Sequence, residues 1–202
     1  SNMRNIAIFC AMVVAFVAVQ AEGALMVHYT FDDAAAGVAT NSGAGGNGTI
    51  VGNGVYSAGG PVGSNALAFD GNNDYIQNLD LGSTTDYAMS FWYNTGVGQQ
   101  CCGSGALYYT SGWGNDSLHS SLNSNSSRMW SEIHSGNQRN SNTVATALNN
   151  WNHMVASFSG SSITYTVNGV AQASQTMSGA TARLGVGQIG AWDGTRDYTG
   201  LF

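Results

Sequence analysis

The hydrophobic pattern is sharpest over residues 151–175, WNHMVASFSGSSITYTVNGVAQASQ. Ile163, Tyr165 and Val167 alternate with Ser162, Thr164 and Thr166, which gives a strand one apolar and one polar face. Met154, Ala156 and Phe158 keep the same period upstream. Asn168-Gly169 suits the two positive φ angles of a type I′ turn, and Ser159-Gly160-Ser161 supplies the turn before it. The stretch predicts a three-strand antiparallel meander with one buried side.

Shorter β-like runs recur through the rest of the chain, separated by Gly, Asn and Ser. They cover 25–31, 49–51, 66–69, 75–79, 87–95, 106–110, 117–122, 128–133, 143–147, 183–189 and 198–202. No long stretch beyond the N-terminus carries a 3.6-residue apolar period, and no internal repeat is evident. Many short strands at this spacing predict a sandwich or barrel.

The N-terminus is different. Arg4 precedes an unbroken apolar run, Ile6–Val19, which is short for a ~30 Å hydrocarbon core. Val19 and Ala21 then place small residues at −3 and −1 of a cleavage site. Residues 1–21 therefore read as a secretory signal peptide, with the domain over 22–202 and no membrane span in the mature chain. An N-terminal membrane anchor is the alternative.

Composition narrows the partners. Charged residues make up 8% of the 202, Lys is absent, and the net charge is −6. The five cations are Arg4, Arg128, Arg139, Arg183 and Arg196, too few for a nucleic-acid footprint. Cys10 leaves with the signal, which isolates the adjacent pair Cys101 and Cys102. Neighbouring Cα atoms lie ~3.8 Å apart, whereas ordinary disulfides span ~4.4–6.8 Å. A bridge between Cys101 and Cys102 is thus a strained vicinal ring, compatible with an exported chain. Reduced thiols, or bridges to another chain, are the alternatives.

Several segments together carry a resemblance. Trp151, His153, Tyr165, Asn168 and Gly169 stand as Trp-x-His and Tyr-x-x-Asn-Gly. LMVHYTFDD, NSGAGGNGTIVG, ALAFDGNNDYIQ, YAMSFWYNT, LGVGQIG and YTGLF precede or follow in order. Over roughly 25–202 the chain resembles the laminin-G-like, concanavalin A-like lectin/glucanase jelly rolls. The resemblance implies an all-β, two-sheet antiparallel jelly-roll sandwich. In that family the segment like YTGLF continues into a further strand that pairs near the first one. The sequence stops at Phe202, so the expectation is a C-terminally truncated domain that lacks its last strand, leaves the edge of 25–31 open and belongs to a longer polypeptide.

The candidate chemistry is sparse. Glycosidases on related jelly rolls use paired carboxylates, but the Glu residues here are Glu22 and Glu132, with no Glu-x-Asp-x-x-Glu pattern. Neither a Gly-x-Ser-x-Gly elbow nor a phosphate loop occurs. Trp130, Glu132 and His134 alternate, so they share one strand face: a sugar site, or simply a solvated face. With Tyr109 and Trp113 they are the candidate ligand-binding residues. Tyr108 and Trp192 also lie beside polar, Gly-rich stretches. Asp70, Asn72 and Asp74 present oxygens at alternate positions, and Asp32-Asp33 end the first run. The resemblance implies a structural Ca²⁺ with Asp32 and Asp70 as ligands; the plainer reading of Asp70–Asn73 is a hairpin turn. The sequence expectation is a non-catalytic module that binds a glycan or an extracellular protein, secreted or on the surface of a bacterial cell. A structural or adhesive domain is the alternative, and a glycoside hydrolase-type enzyme the third.

Overall fold

A computed structural model describes residues 23–33, 36–96, 104–110, 112, 114, 116–123, 128–135, 138–145, 147–159, 162–172, 174–176, 181–192 and 197–202. The proposed signal peptide lies outside them. In chain order the strands are β1 (Val38–Ala39), β2 (Gly48–Val51), β3 (Val55–Ala58), β4 (Asn65–Asp70), β5 (Tyr75–Leu79) and β6 (Ser83–Thr84). Next come β7 (Asp86–Tyr93), β8 (Ser104–Thr110), β9 (Leu118–Asn123), β10 (Arg128–Ser135), β11 (Gln138–Ala145) and β12 (Asn152–Ser159). Last are β13 (Ser162–Val167), β14 (Val170–Ala171), β15 (Gln175–Thr176), β16 (Ala182–Arg183), β17 (Gly187–Ile189) and β18 (Thr199–Leu201).

An 8-stranded sheet runs β1-β2-β5-β17-β8-β9-β10-β11. A 5-stranded sheet runs β14-β13-β12-β7, with β15 also on β13. A 3-stranded sheet, β18-β4-β3, adjoins it: the Tyr198 hydroxyl donates to the Asn94 carbonyl at 3.0 Å, and the Thr95 hydroxyl donates to the Thr199 carbonyl at 2.7 Å. β16 pairs with β6. The layers meet in one apolar cluster. Ile50, Ile76, Leu79, Tyr108 and Leu118 enter it from the larger sheet, and Met154, Phe158, Ile163, Tyr165 and Val167 from the smaller. Burying such side chains is worth roughly 1.5–3 kcal/mol each.

The predicted meander is present, but its third strand is split into β14 and β15, which both pair with β13, and Val170 and Ala171 are exposed. β12 and β13 pair Met154 with Val167 and Phe158 with Ile163. Their burial alternates, with Asn152, Met154, Ala156 and Phe158 inside and Ser157 and Ser159 exposed. Asn168 and Gly169 have φ of 51° and 78°, as a type I′ turn requires. Asn168 also pins the hairpin to β12: its Oδ1 accepts from His153 N–H at 2.8 Å, and its amide donates to Asn152 Oδ1 at 3.1 Å.

Two runs differ from expectation. Residues 183–189 do not form one strand. Leu184 and Gly185 both donate to the Gly82 carbonyl at 2.7 Å, and Val186 takes φ 45°, so the path breaks between β16 and β17. Residues 25–31 are not a ladder strand either. Val27, Tyr29 and Phe31 pack on the core at every second position, but no strand pairs with them; His28 N–H is held by Asn41 Oδ1 at 2.8 Å. Their carbonyls accept instead from the loop that follows, Leu25 from Ala44 N–H and Met26 from Gly45 N–H at 2.8 Å and His28 from Ser42 N–H at 3.1 Å, and Phe31 leaves strand geometry at φ 59°.

Candidate functional site

The outer face of the larger sheet gathers most of the expected chemistry. Tyr108 and Leu118 belong to the core, so their chain neighbours Tyr109 and His119 point away from it. The register aligns Gln188, Tyr109, His119, Glu132 and Ser141 across β17, β8, β9, β10 and β11. A second row aligns Ala106, Ser121, Trp130 and Thr143. Trp130, Glu132 and His134 therefore occupy alternate positions on β10, the first two in register with Ser121 and His119.

This face is covered. Tyr109 is 1% exposed and His119 0%. Their rings stack with centroids 4.3 Å apart and an interplanar angle of 23°. Half-buried Trp192 lies 6.0 Å from Tyr109 and 5.7 Å from His119. The Tyr109 hydroxyl and Ser121 Oγ are buried with no hydrogen-bond partner among the described residues. Adjacent Tyr108 behaves differently: its hydroxyl donates to the Leu184 carbonyl at 2.6 Å, and burial raises its pKa above the ordinary phenol value.

With this geometry in place, the family is evident. Residues 70–202 match the laminin G family model described as the concanavalin A-like lectin/glucanases superfamily. The chain belongs to this superfamily. Among solved structures it is similar to domain 4 of AbnA, a GH43 extracellular arabinanase from Geobacillus stearothermophilus, in complex with arabinotriose. That likeness has 20% identity and a TM-score of 0.58, over 77% of this chain and 79% of that one. A mutant of HCR/D is similar at 12% identity and TM-score 0.52, over 74% of this chain and 40% of that chain. Domains LG4-5 of the mouse laminin alpha1 chain match at 17% identity and TM-score 0.48, over 63% of this chain; the chain spans 34% of that laminin chain's length. No curated protein matches by sequence.

In this member of the concanavalin A-like superfamily, the expected site residues divide. Trp130 and Glu132 are in register with Ser121 and His119, the latter in the row of Tyr109, and His134 lies two positions further along β10. Tyr109 is corrected from a ligand-stacking ring to a supporting one: at 1% exposure, with His119 on it, it has no open face for a sugar. Trp113, Cys101 and Cys102 lie outside the described residues. His119, Ser121 and Gln188 were missed, although the alternation in LHSSLN places His119 and Ser121 opposite Leu118.

The calcium pair is corrected too. Asp32 Oδ1 accepts from Ser64 N–H at 2.8 Å, Asn65 N–H at 3.0 Å and the Ser64 hydroxyl at 3.1 Å. These bonds lower its pKa, the Ser64 backbone first. Asp70 Oδ1 accepts from Asn72 N–H at 2.8 Å, closing the turn. Asp32 thus sits at the start of β4 and Asp70 at its end, roughly 17 Å apart at ~3.4 Å per residue. One ion cannot take both. No group of three or more His, Cys, Asp or Glu among the described residues could hold a metal. No described helix is long and apolar enough to cross a membrane.

Proposed function

We propose that the chain is a non-catalytic binding module for a glycan or protein ligand, in a secreted or cell-surface protein. The observation that carries it is the ordered outer face of the larger sheet. There half-buried Trp192, backed by the closed Tyr109–His119 stack, offers a ring near the register position of Glu132. Flat rings and a carboxylate suit the C–H faces and hydroxyls of a sugar. The likeness to a domain of an extracellular arabinanase, solved with arabinotriose, supports a glycan as ligand and an extracellular setting. Calcium remains a proposal at Asp70 alone, one of the two expected ligands.

A glycan array probed with the intact protein, with and without Ca²⁺, tests this reading. Binding that falls by roughly two- to tenfold in Trp192→Ala is expected, since a ring contact is worth roughly 0.5–1.5 kcal/mol. No binding to any glycan or extracellular-matrix protein would leave the structural or adhesive reading. That second reading is favoured by one observation, the burial of Tyr109 and His119. Hydrolysis of an oligosaccharide that disappears in Glu132→Gln would overturn the non-catalytic assignment.

A further inference from the structure

Asparagine followed by glycine is the pair most prone to lose its side-chain amide, because glycine has no Cβ to keep its nitrogen from the asparagine Cγ. The chain has three such pairs: Asn47-Gly48, Asn53-Gly54 and Asn168-Gly169. Each is followed by a β-branched residue, Thr49, Val55 or Val170, so local sequence does not separate them. All three asparagines are exposed. The reaction requires the side chain to swing its Cγ over the next backbone nitrogen. What holds each side chain therefore decides between the three.

Asn168 is held at both ends. Its Oδ1 accepts from His153 N–H at 2.8 Å, and its amide donates to Asn152 Oδ1 at 3.1 Å. Asn47 is held at one end, where its Oδ1 accepts from Asn41 N–H at 2.9 Å. Its glycine is buried at the start of β2, where a Cβ would run into Ile76 Cγ2 and the Tyr29 hydroxyl, so this peptide has no room to tilt. Asn53 differs from both. It lies in the turn between β2 and β3, and its side chain bonds to no described residue. Its backbone alone is tied, with its N–H donating to Asp74 Oδ1.

We propose that Asn53 is a site of spontaneous deamidation in the folded protein. The Gly54 nitrogen bonds to Asn53 Cγ and gives up its proton, and the side-chain nitrogen leaves as ammonia. Water then opens the cyclic succinimide. Cleavage of the new bond to Cγ gives aspartate; cleavage of the original peptide bond gives isoaspartate, whose main chain runs through Cβ and Cγ. Either product puts a carboxylate beside Asp74, whose buried carboxylate accepts from both Asn53 N–H and Asp70 N–H. Isoaspartate also lengthens the main chain by a carbon just before Gly54. There is no slack there: a Cβ on Gly54 would lie 3.0 Å from Ile50 Cγ2 and 3.2 Å from the Phe69 ring. The added carbon therefore works against the first pair of β3 with β4, Val55 with Ala68.

The test ages the intact protein in mildly alkaline buffer, with a parallel sample in urea. Peptides carrying the three pairs are followed by mass for conversion of amide to acid, and isoaspartate is counted with a protein isoaspartyl methyltransferase. Each hydrogen bond that must open slows the reaction by the roughly two- to tenfold that its net free energy implies. In the folded protein Asn53 should therefore convert at least about tenfold faster than the doubly held Asn168. In urea the three rates should converge, and Asn53→Gln should abolish the early acid. The isoaspartate fraction should melt below the parent and below Asn53→Asp, which carries the charge without the added carbon. Asn47 or Asn168 keeping pace with Asn53 in the folded protein would overturn the proposal. So would an Asn53 rate far lower in the folded protein than in urea, because the turn would then protect it. An isoaspartate fraction as stable as Asn53→Asp would remove the predicted conflict with β3.

Discussion

Asn152 in the 5-stranded sheet and the Tyr109–Ser121 face of the larger sheet bury polar groups in opposite ways. In the 5-stranded sheet, Asn152 is 1% exposed and fully engaged. Its amide donates to the carbonyls of Ala147 at 2.8 Å and Asn150 at 3.1 Å, and its Oδ1 accepts from Ala147 N–H and the Asn168 amide. On the outer face of the larger sheet, the Tyr109 hydroxyl and Ser121 Oγ are equally buried, yet no described residue satisfies them. A buried polar group without a partner costs roughly 1–3 kcal/mol. The first arrangement is a wall, whose polar atoms complete one another. The second leaves hydrogen-bonding capacity over, which is what a face that meets something else retains.

The largest effect should come from the wall. Phe158 is 2% exposed and packs 5.5 Å from Tyr87. Phe158→Ala is expected to cost about 3–5 kcal/mol in urea unfolding. Asn152→Ala should cost about 1–3 kcal/mol, because it strands the Ala147 N–H and carbonyl. Ser121→Ala and Tyr109→Phe sharpen the contrast. Each removes a hydroxyl without a described partner, so each should lie within about 0.5 kcal/mol of the parent or be stabilising. Costs for Ser121→Ala and Asn152→Ala that agree would break the comparison, by showing that both faces are wall.

The same contrast explains what the sequence reveals. Residues 151–169 were readable because alternation and an Asn-Gly turn are local properties; Met154, Phe158 and Tyr165 are buried where the period puts them. Residues 25–31 alternate as a strand does, but a ladder needs a neighbour, and pattern within one segment cannot supply one. The break at Val186 depends on the Gly82 carbonyl, a hundred residues away. At the site, the alternation of Trp130, Glu132 and His134 gave a shared face. It could not show that His119 stacks on Tyr109, because that contact is set by the register between β8 and β9. Asp32 and Asp70 looked like partners in sequence and lie at opposite ends of one strand.

The smallest effect separates two buried carboxylates. Asp74 is 0% exposed and held: its Oδ2 accepts from Asp70 N–H at 2.9 Å, and its Oδ1 from Asn53 N–H. Asp197 is 8% exposed, and its Oδ1 has no hydrogen-bond partner among the described residues. Burial raises the Asp197 pKa above 3.8, with the charges of Asp74 and Asp70 adding to the rise and a bond from the Asn73 backbone opposing it. The folded state therefore holds this proton more tightly than the unfolded chain does. Its contribution to stability is complete below pH 3.8 and declines as pH rises through the folded-state pKa. Asp197→Asn should consequently raise the melting temperature at pH 7 and have little effect at pH 3. Asp32, whose pKa is lowered, has the opposite sign: Asp32→Asn should cost stability at neutral pH, and less as the pH falls below 3.8. A calcium ion at the Asp70 end would supply the missing partner for Asp197. In that case the gain from Asp197→Asn at pH 7 should appear in EGTA and reverse to a loss in millimolar Ca²⁺. An equal gain in both buffers would leave Asp197 as a buried acid without a cation and would end the calcium proposal.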